Sequence, residues 1–399
     1  MYMRANPGGK ISPDDCIGRD QFIKNVWKVL QRQSVVLVAE RRSGKTTILQ
    51  KMAIQHSKND LVIFRDVGAI SQPIEFAKRV AQDIESYLST MQKSAKRTNA
   101  FLKQFGGTKI LGFQLPEAII PHWKDLLESV LSDLAENNDK NVVLLWDELP
   151  WMLQKIVKKH GEGVAMDLLD TLRGLRQTYP NLRMIYTGSI GLHHVTTALK
   201  NEGYSNSPIN DMHVINLPPL ALNSAIQLVL ELIKGEQLNC AAPQRIAQLI
   251  AELTDNMPYY IHHVIAELAM TSDEITEVQV HATIQQALSA SHDPWNLADY
   301  RTRLSSYYLD QAPVAQCILD IFSEFDTLTL AQLQQKLQLV LPPRGDIATA
   351  ITNGDNSPLR DMIRVLRRDH YIIQDPTTAA YRFQFQLIRR WWRLEQGLS

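Results

Sequence analysis

The chain has 399 residues, with 42 Lys+Arg against 42 Asp+Glu, so its formal charge is zero and neither a generally basic nucleic-acid coat nor an acidic solvating tail describes it. Its length suits two or three domains, and 45% hydrophobic residues suffice to bury real cores. No apolar run approaches a membrane span, residues 1–9 carry no signal core, and Cys16, Cys240 and Cys317 lie too far apart for a disulfide framework or a Cys-based zinc site, so a soluble cytoplasmic protein is expected. In chain order, Ser34–Val38, Leu61–Phe64, Val142–Trp146 and Leu182–Tyr186 read as buried strands, with His213–Leu217 a weaker fifth. Near-continuous aliphatic strands separated by helical patterns predict a parallel sheet covered on both faces. Helices follow at Leu220–Ile233, Gln244–Leu253, Tyr259–Met270 and Val278–Leu288. Beyond the aromatic segment Trp295–Tyr300, three helices (Val314–Phe322, Leu330–Leu337, Leu359–Arg368) and two short strands (Tyr371–Ile373, Tyr381–Phe385) match a winged helix, with Val340–Ser357 as an enlarged loop.

The chemistry resides between the first strand and its helix, at Ala39-Glu40-Arg41-Arg42-Ser43-Gly44-Lys45-Thr46. This is a phosphate-binding loop, GxxxxGK[ST], with alanine in place of the first glycine. Backbone N–H groups at a helix N-terminus converge on phosphate oxygens. Gly44 permits close approach, Lys45 reaches the β- and γ-phosphates, and Thr46 offers its hydroxyl to Mg²⁺. Alanine at 39 costs conformational freedom only if that position needs positive φ. About a hundred residues later the third strand ends in Asp147-Glu148, where a parallel sheet places ligand groups. Asp147 is expected to hold Mg²⁺ and Glu148 to polarise the attacking water. The fourth strand ends in Thr187-Gly188-Ser189; Ser189 reads either as a contact to the γ-phosphate or lytic water or as the N-cap of the next helix, and the two are compatible.

Gly18-Arg19-Asp20, the loop through Thr47, Trp146-Asp147-Glu148, Thr187-Gly188-Ser189, Pro258 and the terminal winged helix together resemble archaeal-type ATPases of the signal-transducing STAND class, relatives of AAA+ and origin-recognition ATPases. The resemblance runs from Pro13 to Trp392. It implies a five-stranded parallel P-loop NTPase core of order 5-1-4-3-2, an α-helical lid and a C-terminal winged-helix domain. The division it suggests is 1–218 for the ATPase domain, 219–291 for the lid, 292–311 for a linker and 312–399 for the winged helix. ATP or ADP with Mg²⁺ are the implied cofactors: Gly18 and Arg19 border the adenine, Ala39, Arg42, Ser43, Gly44, Lys45, Thr46 and Thr47 form the loop, and Pro258 approaches from the lid. Asp20 stands where the family has Glu, and no arginine finger is assignable; Arg173 and Arg176 are candidates that also read as solvated helix charges. Low intrinsic turnover and a nucleotide-gated switch are therefore expected. The chain ends seven residues after Trp392 with no repeat array, so sensing and output are expected in the core, in a separate protein partner or in nucleic acid. A nucleotide-dependent homo-oligomer is a further expectation.

Two local patches escape the neutral total. From Pro358 onward eight Arg face four acidic residues, a balance of +4, and Arg360, Arg364, Arg367 and Arg368 share one helix face. That face suits a DNA major groove, or equally packing against a partner. An insert near 94–116 lies in an acid-free stretch and includes Lys96, Arg97, Lys103 and Lys109; it reads as a phosphate-contacting arm with a short hairpin or as a solvated loop. Double-stranded DNA thus stays open as a partner, beside a scaffolding role with a nucleotide-locked site.

Overall fold

The computed structural model describes residues 2–90, 96–104, 121–188, 192, 195, 207–271, 274–342 and 344–398. These form two compact units, Ser12–Leu217 and a second made of residues 2–11 with Pro218–Ser399.

In the first unit, α1 (Asp20–Leu30), β1 (Val35–Val38), α2 (Lys45–Ile54), β2 (Asp60–Asp66), α3 (Pro73–Thr90), α4 (Lys96–Gln104), α5 (Trp123–Glu136), β3 (Asn141–Asp147), α6 (Leu149–His160), α7 (Glu162–Thr178), β4 (Leu182–Thr187) and β5 (His213–Asn216) follow one another. The five strands are parallel in the order β2-β3-β4-β1-β5, as the 5-1-4-3-2 reading requires. Side chains alternate across a strand, and this alternation sorts the core into two layers. Val143, Leu145 and Ile185 pack under α1 and α2 with Ile23, Val26, Ile48 and Met52. Val142, Leu144, Trp146, Met184 and Tyr186 pack under α3, α5, α6 and α7. Trp146 anchors the second layer, edge-on to Phe76 at 4.9 Å and stacked on Tyr186 at 5.9 Å. The described part of the basic insert, α4, is held by the buried Asp133 of α5, whose carboxylate accepts from the Thr98 N–H and hydroxyl, both at 2.7 Å. The hairpin expected near Lys109 lies outside the described residues.

In the second unit, α8 (Leu222–Gly235), α9 (Pro243–Leu253), α10 (Pro258–Leu268) and α11 (Glu277–Ser289) are followed by α12 (Asp299–Tyr307), α13 (Ala312–Glu324), α14 (Leu330–Val340), α15 (Asp346–Thr352), α16 (Ser357–Arg368), β6 (Ile372–Gln374), β7 (Tyr381–Phe383) and α17 (Gln386–Glu395). β6 and β7 are an antiparallel pair. Three departures from the sequence reading stand out. The segment read as linker 292–311 contains α12, because Tyr300 and Leu304 bury one face of it. The supposed loop Val340–Ser357 contains α15, because Ala348 and Ile351 are buried and Gln334 donates to the Ile351 carbonyl. Residues 2–11 group with the C-terminal half rather than with the 1–218 division: the Ala5 N–H donates to Glu236 (2.7 Å), and Met3 crosses Gly235 so closely that a Cβ there would lie 1.6 Å from its carbonyl oxygen.

The same N-terminal segment reads a buried histidine, since the Asn6 N–H donates to His262 Nδ1 at 3.2 Å. Burial lowers the His262 imidazole to about 4, against about 6.5 for the free group. The unfolded chain binds a proton between these values that the folded chain refuses, so stability falls as pH drops from 6.5 towards 4, by an amount on the order of 3 kcal/mol. Denaturant midpoints measured across that window should decline in the wild type and decline less in His262→Gln; parallel pH profiles would remove His262 as the cause.

Candidate functional site

β1 delivers the chain to a loop whose backbone is bent at two residues, Arg42 (φ 66°) and Gly44 (φ 91°). Ala39 does not have positive φ, so the alanine in the first loop position is unstrained; the strain falls on Arg42 instead. α2 starts at Lys45, and its first-turn N–H groups face the loop. Lys45 is buried and its Nζ donates to the carbonyls of Ala39 (3.0 Å) and Glu40 (2.9 Å), inside the curve of the loop. Arg19, also buried, braces the loop from the preceding segment by donating to the Ser43 carbonyl at 3.1 Å; desolvation lowers its guanidinium to about 10. Gly18, with φ 71°, makes the turn that brings Arg19 there. Thr47, the third residue of α2, is half-buried.

Asp147, the last residue of β3, is brought to Thr46 across 101 residues of sequence, and the Thr46 hydroxyl donates to Asp147 Oδ2 at 2.5 Å. Burial pushes the Asp147 carboxyl up; the Thr46 hydrogen bond and Lys45 act against this, while Glu148 and Asp66 add to it. A cation between Thr46 and Asp147 would reverse that balance. Among the described residues no cluster of three or more His, Cys, Asp or Glu side chains could hold a metal. One hydroxyl and one carboxylate would suffice as the protein's share of a Mg²⁺ site whose other ligands are water and phosphate oxygens. Ser43 Oγ and Thr187 Oγ1 are buried without a hydrogen-bond partner among the described residues, one in the loop and one at the end of β4. Buried hydroxyls left this way suit a polar ligand between them.

Glu148 takes a left-handed backbone (φ 58°) at the start of α6. Two glycines seat it. A Cβ on Gly68 would lie 2.9 Å from Glu148 Cβ, and one on Gly188 would lie 2.7 Å from Pro150 Cδ and 3.3 Å from Glu148 Oε2. Lys155 fixes the Gly68 loop through its carbonyl at 2.7 Å. Beside Glu148 opens a cleft of about 610 Å³ lined by Arg41, Asp66, Trp151 and Lys155. No motif announces Gly68, Trp151 or Lys155; only the strand ends, where parallel sheets collect functional loops, pointed to the neighbourhood.

The remaining candidates divide. Pro258 is the first residue of α10, in the second unit. Ser189 lies outside the described residues. Arg176 is not a solvated charge: it is buried, with Nε and Nη2 on Asp211 at 2.9 Å each, Nη1 on the Tyr186 hydroxyl at 2.6 Å and Nη2 on the Pro208 carbonyl at 2.8 Å. That network fixes the chain entering β5 and takes Arg176 out of consideration as a finger. Arg173, half-buried one turn earlier, places its charge near Asp211 as well. Arg360, Arg364, Arg367 and Arg368 are all exposed on α16, opposite the buried Leu359, Met362, Ile363 and Leu366, and Arg364 pairs with Asp361 at 2.6 Å. Arg389, Arg390 and Arg393, by contrast, donate to carbonyls of Phe322, Leu253 and Ser323 and serve packing. Lys96 is exposed, whereas Arg97 is engaged with the Tyr179 hydroxyl and Glu136, at 2.8 Å each.

No protein-family model matches the chain, and no curated protein matches it. Among solved structures it is similar to a Walker-type ATPase of Pyrococcus abyssi, with a TM-score of 0.66 and 16% identity over 98% of this chain and 100% of that one. The ORC2 protein of Aeropyrum pernix gives a TM-score of 0.47 at 11% identity, over 94% and 92%. A STAND protein with a tetratricopeptide repeat sensor from Pyrococcus horikoshii gives 0.36 at 14%, over 98% of this chain and 43% of that one. The chain therefore carries the P-loop ATPase fold, and its sheet order agrees with that assignment. Among the described residues no helix is long and apolar enough to cross a membrane.

Proposed function

We propose that this chain is a Mg²⁺-dependent ATP-binding switch that hydrolyses ATP slowly and uses the bound nucleotide to control its own assembly or a partner protein. The observation carrying this reading is the Thr46–Asp147 contact beside Lys45, since no part of the hydrophobic core requires a hydroxyl, a carboxylate and an ammonium to converge. The Pyrococcus abyssi protein of the same fold is described as a Walker-type ATPase, which supports ATP as the ligand. The loop N–H groups and Lys45 hold phosphate oxygens, with Lys45 exchanging two backbone carbonyls for them. Mg²⁺, when bound at Thr46 and Asp147, supplies charge neutralisation between the phosphates. Glu148 accepts the proton of the attacking water, and Thr187 orients what lies at the end of β4. With Arg176 committed to Asp211, no guanidinium among the described residues is assigned to the developing charge, and turnover stays low until another group, from this chain or a partner, supplies one.

The lid helices and the winged helix are the elements that respond to the nucleotide, and Pro258 heads one lid helix, α10. Asp255, three residues before it, caps the terminal helix α17 by accepting from the Leu387 N–H at 2.7 Å, so a movement of that loop is passed to the C-terminal domain. ATP can drive this only by favouring one arrangement over another. Mass measurement of the protein with ADP and with a non-hydrolysable ATP analogue should give two different assembly states, or two different affinities for an added partner. Identical masses and identical partner affinities in both nucleotides would end the switch reading.

The exposed arginines of α16 favour a second reading, an ATP-dependent DNA-binding protein in which the winged helix enters a groove and Lys96 of the insert contacts phosphate. It predicts a salt-dependent shift of duplex DNA that Arg364→Ala and Arg368→Ala weaken by about tenfold together and that disappears at high salt. Failure to bind duplex DNA at low salt would eliminate it.

A further inference from the structure

The layer of the sheet beneath α1 and α2 has two ends. At the upper end lie Thr187 and Asp147 with the phosphate loop. Period-two alternation places Arg183, Ile185 and Thr187 in one column of β4, and Asn141, Val143, Leu145 and Asp147 in one column of β3. The lower ends of these columns open into a separate cavity of about 500 Å³, lined among others by Trp27, Leu30, Asp60, Asn141, Val143 and Arg183. From Arg183 to Thr187 the strand rises about 13 Å.

The cavity holds two opposite charges that do not pair with one another. Arg183 donates only to backbone carbonyls, of Leu30 at 3.0 Å and Leu182 at 3.3 Å, and no carboxylate pairs with it among the described residues. It is half-buried, and desolvation lowers its guanidinium, so an oxyanion there would relieve an uncompensated charge. Asp60, at the start of β2, accepts one hydrogen bond, from Asn141 Nδ2 at 3.1 Å. Trp27, Leu30, Val143 and Pro180 supply the apolar part of the wall, and neutral polar groups such as Gln31, Gln55 and Asn141, with the His56 imidazole, supply the rest. An anion alone would meet Asp60, and a cation alone would meet Arg183.

We propose that this cavity binds a small zwitterion of the amino-acid type, carboxylate on Arg183, ammonium on Asp60 and side chain against Trp27, as an effector of the nucleotide site. Both helices over this layer join the two ends. α1 starts beside Arg19, which braces the phosphate loop, and finishes at Leu30, whose carbonyl Arg183 holds. α2 starts at Lys45 and Thr46 and runs about 15 Å to Gln55 and His56 on the cavity wall. Lys51 ties the helices together through Asp20 at 2.8 Å. A ligand that draws Arg183 towards its carboxylate shifts the end of α1, and through Arg19 the loop.

The effector role rests on the ATP-binding reading; the binding itself does not, and the test separates them. Isothermal titration of the nucleotide-free protein with individual L-amino acids should find at least one that binds, with benzoate and phenethylamine, each carrying one of the two charges, about tenfold weaker or worse. Asp60→Asn, at the rim, should preserve the fold and weaken that amino acid by about tenfold; Arg183→Gln should do so too unless loss of the Leu30 contact unfolds the chain. At saturation the amino acid should change ATP affinity by about fivefold or more. No amino acid binding at roughly 10 mM, a Kd range already too weak for a specific site, or equal binding to Asp60→Asn, overturns the site. Binding with ATP affinity unchanged, or with no ATP bound at all, overturns the effector role and leaves the site.

Discussion

Glu148→Gln is expected to bind ATP with wild-type affinity and to hydrolyse it about a hundred- to ten-thousand-fold more slowly, the range ascribed to a positioned general base. The amide matches the carboxylate in shape, so the seat between Gly68 and Gly188 is kept and the left-handed turn at Glu148 is undisturbed. What is lost is the basic oxygen. Binding should not suffer, because Glu148 is one of the charges that raise the Asp147 carboxyl, and its removal eases ionisation there. Phosphate release under single-turnover conditions reads the chemical step without product release. Turnover within about threefold of wild type, far inside the loss a base should cause, would take Glu148 out of that role and turn attention to the cleft lined by Asp66 and Lys155.

The sheet and the loop were legible for a physical reason. Strands buried on both faces must be aliphatic throughout, so Val142–Trp146 can hardly be anything else, and a phosphate loop needs small residues and a lysine at fixed spacing. The pairing of Thr46 with Asp147 follows from a sheet whose central strands end together. Other parts were illegible because they depend on contacts between residues remote in sequence. Arg176 looks like any helix arginine until the chain around Asp211 returns to cover it. Gly68 and Gly188 look like ordinary turn glycines, and their role exists because Glu148 at the first and Pro150 with Glu148 at the second occupy the space a Cβ would fill. Residues 2–11 carry no periodicity, and contacts more than two hundred residues on, with Gly235, Glu236 and His262, explain where they lie. The motif leaves open whether Ala39 needs positive φ; the positive φ sits at Arg42, because backbone torsion within a loop is not written in the spacing of its motif.

Lys45→Ala should be the most damaging change to nucleotide binding. In the nucleotide-free chain Lys45 is buried on two carbonyl oxygens, so its loss removes a desolvated cation but leaves the Ala39 and Glu40 carbonyls without that donor, a cost to the fold of about 1–3 kcal/mol. Towards a triphosphate the balance differs: charge-assisted hydrogen bonds contribute about 1.5–3 kcal/mol each, and two of them correspond to a loss of roughly a hundredfold or more in affinity. Equilibrium titration of wild type and Lys45→Ala with ATP, in Mg²⁺ and in EDTA, therefore tests the central claim most directly. Saturable wild-type binding that weakens in EDTA, and weakens about a hundredfold or more in Lys45→Ala, is the predicted result. Equal affinity of wild type and variant, or no ATP binding by the wild type, would contradict it.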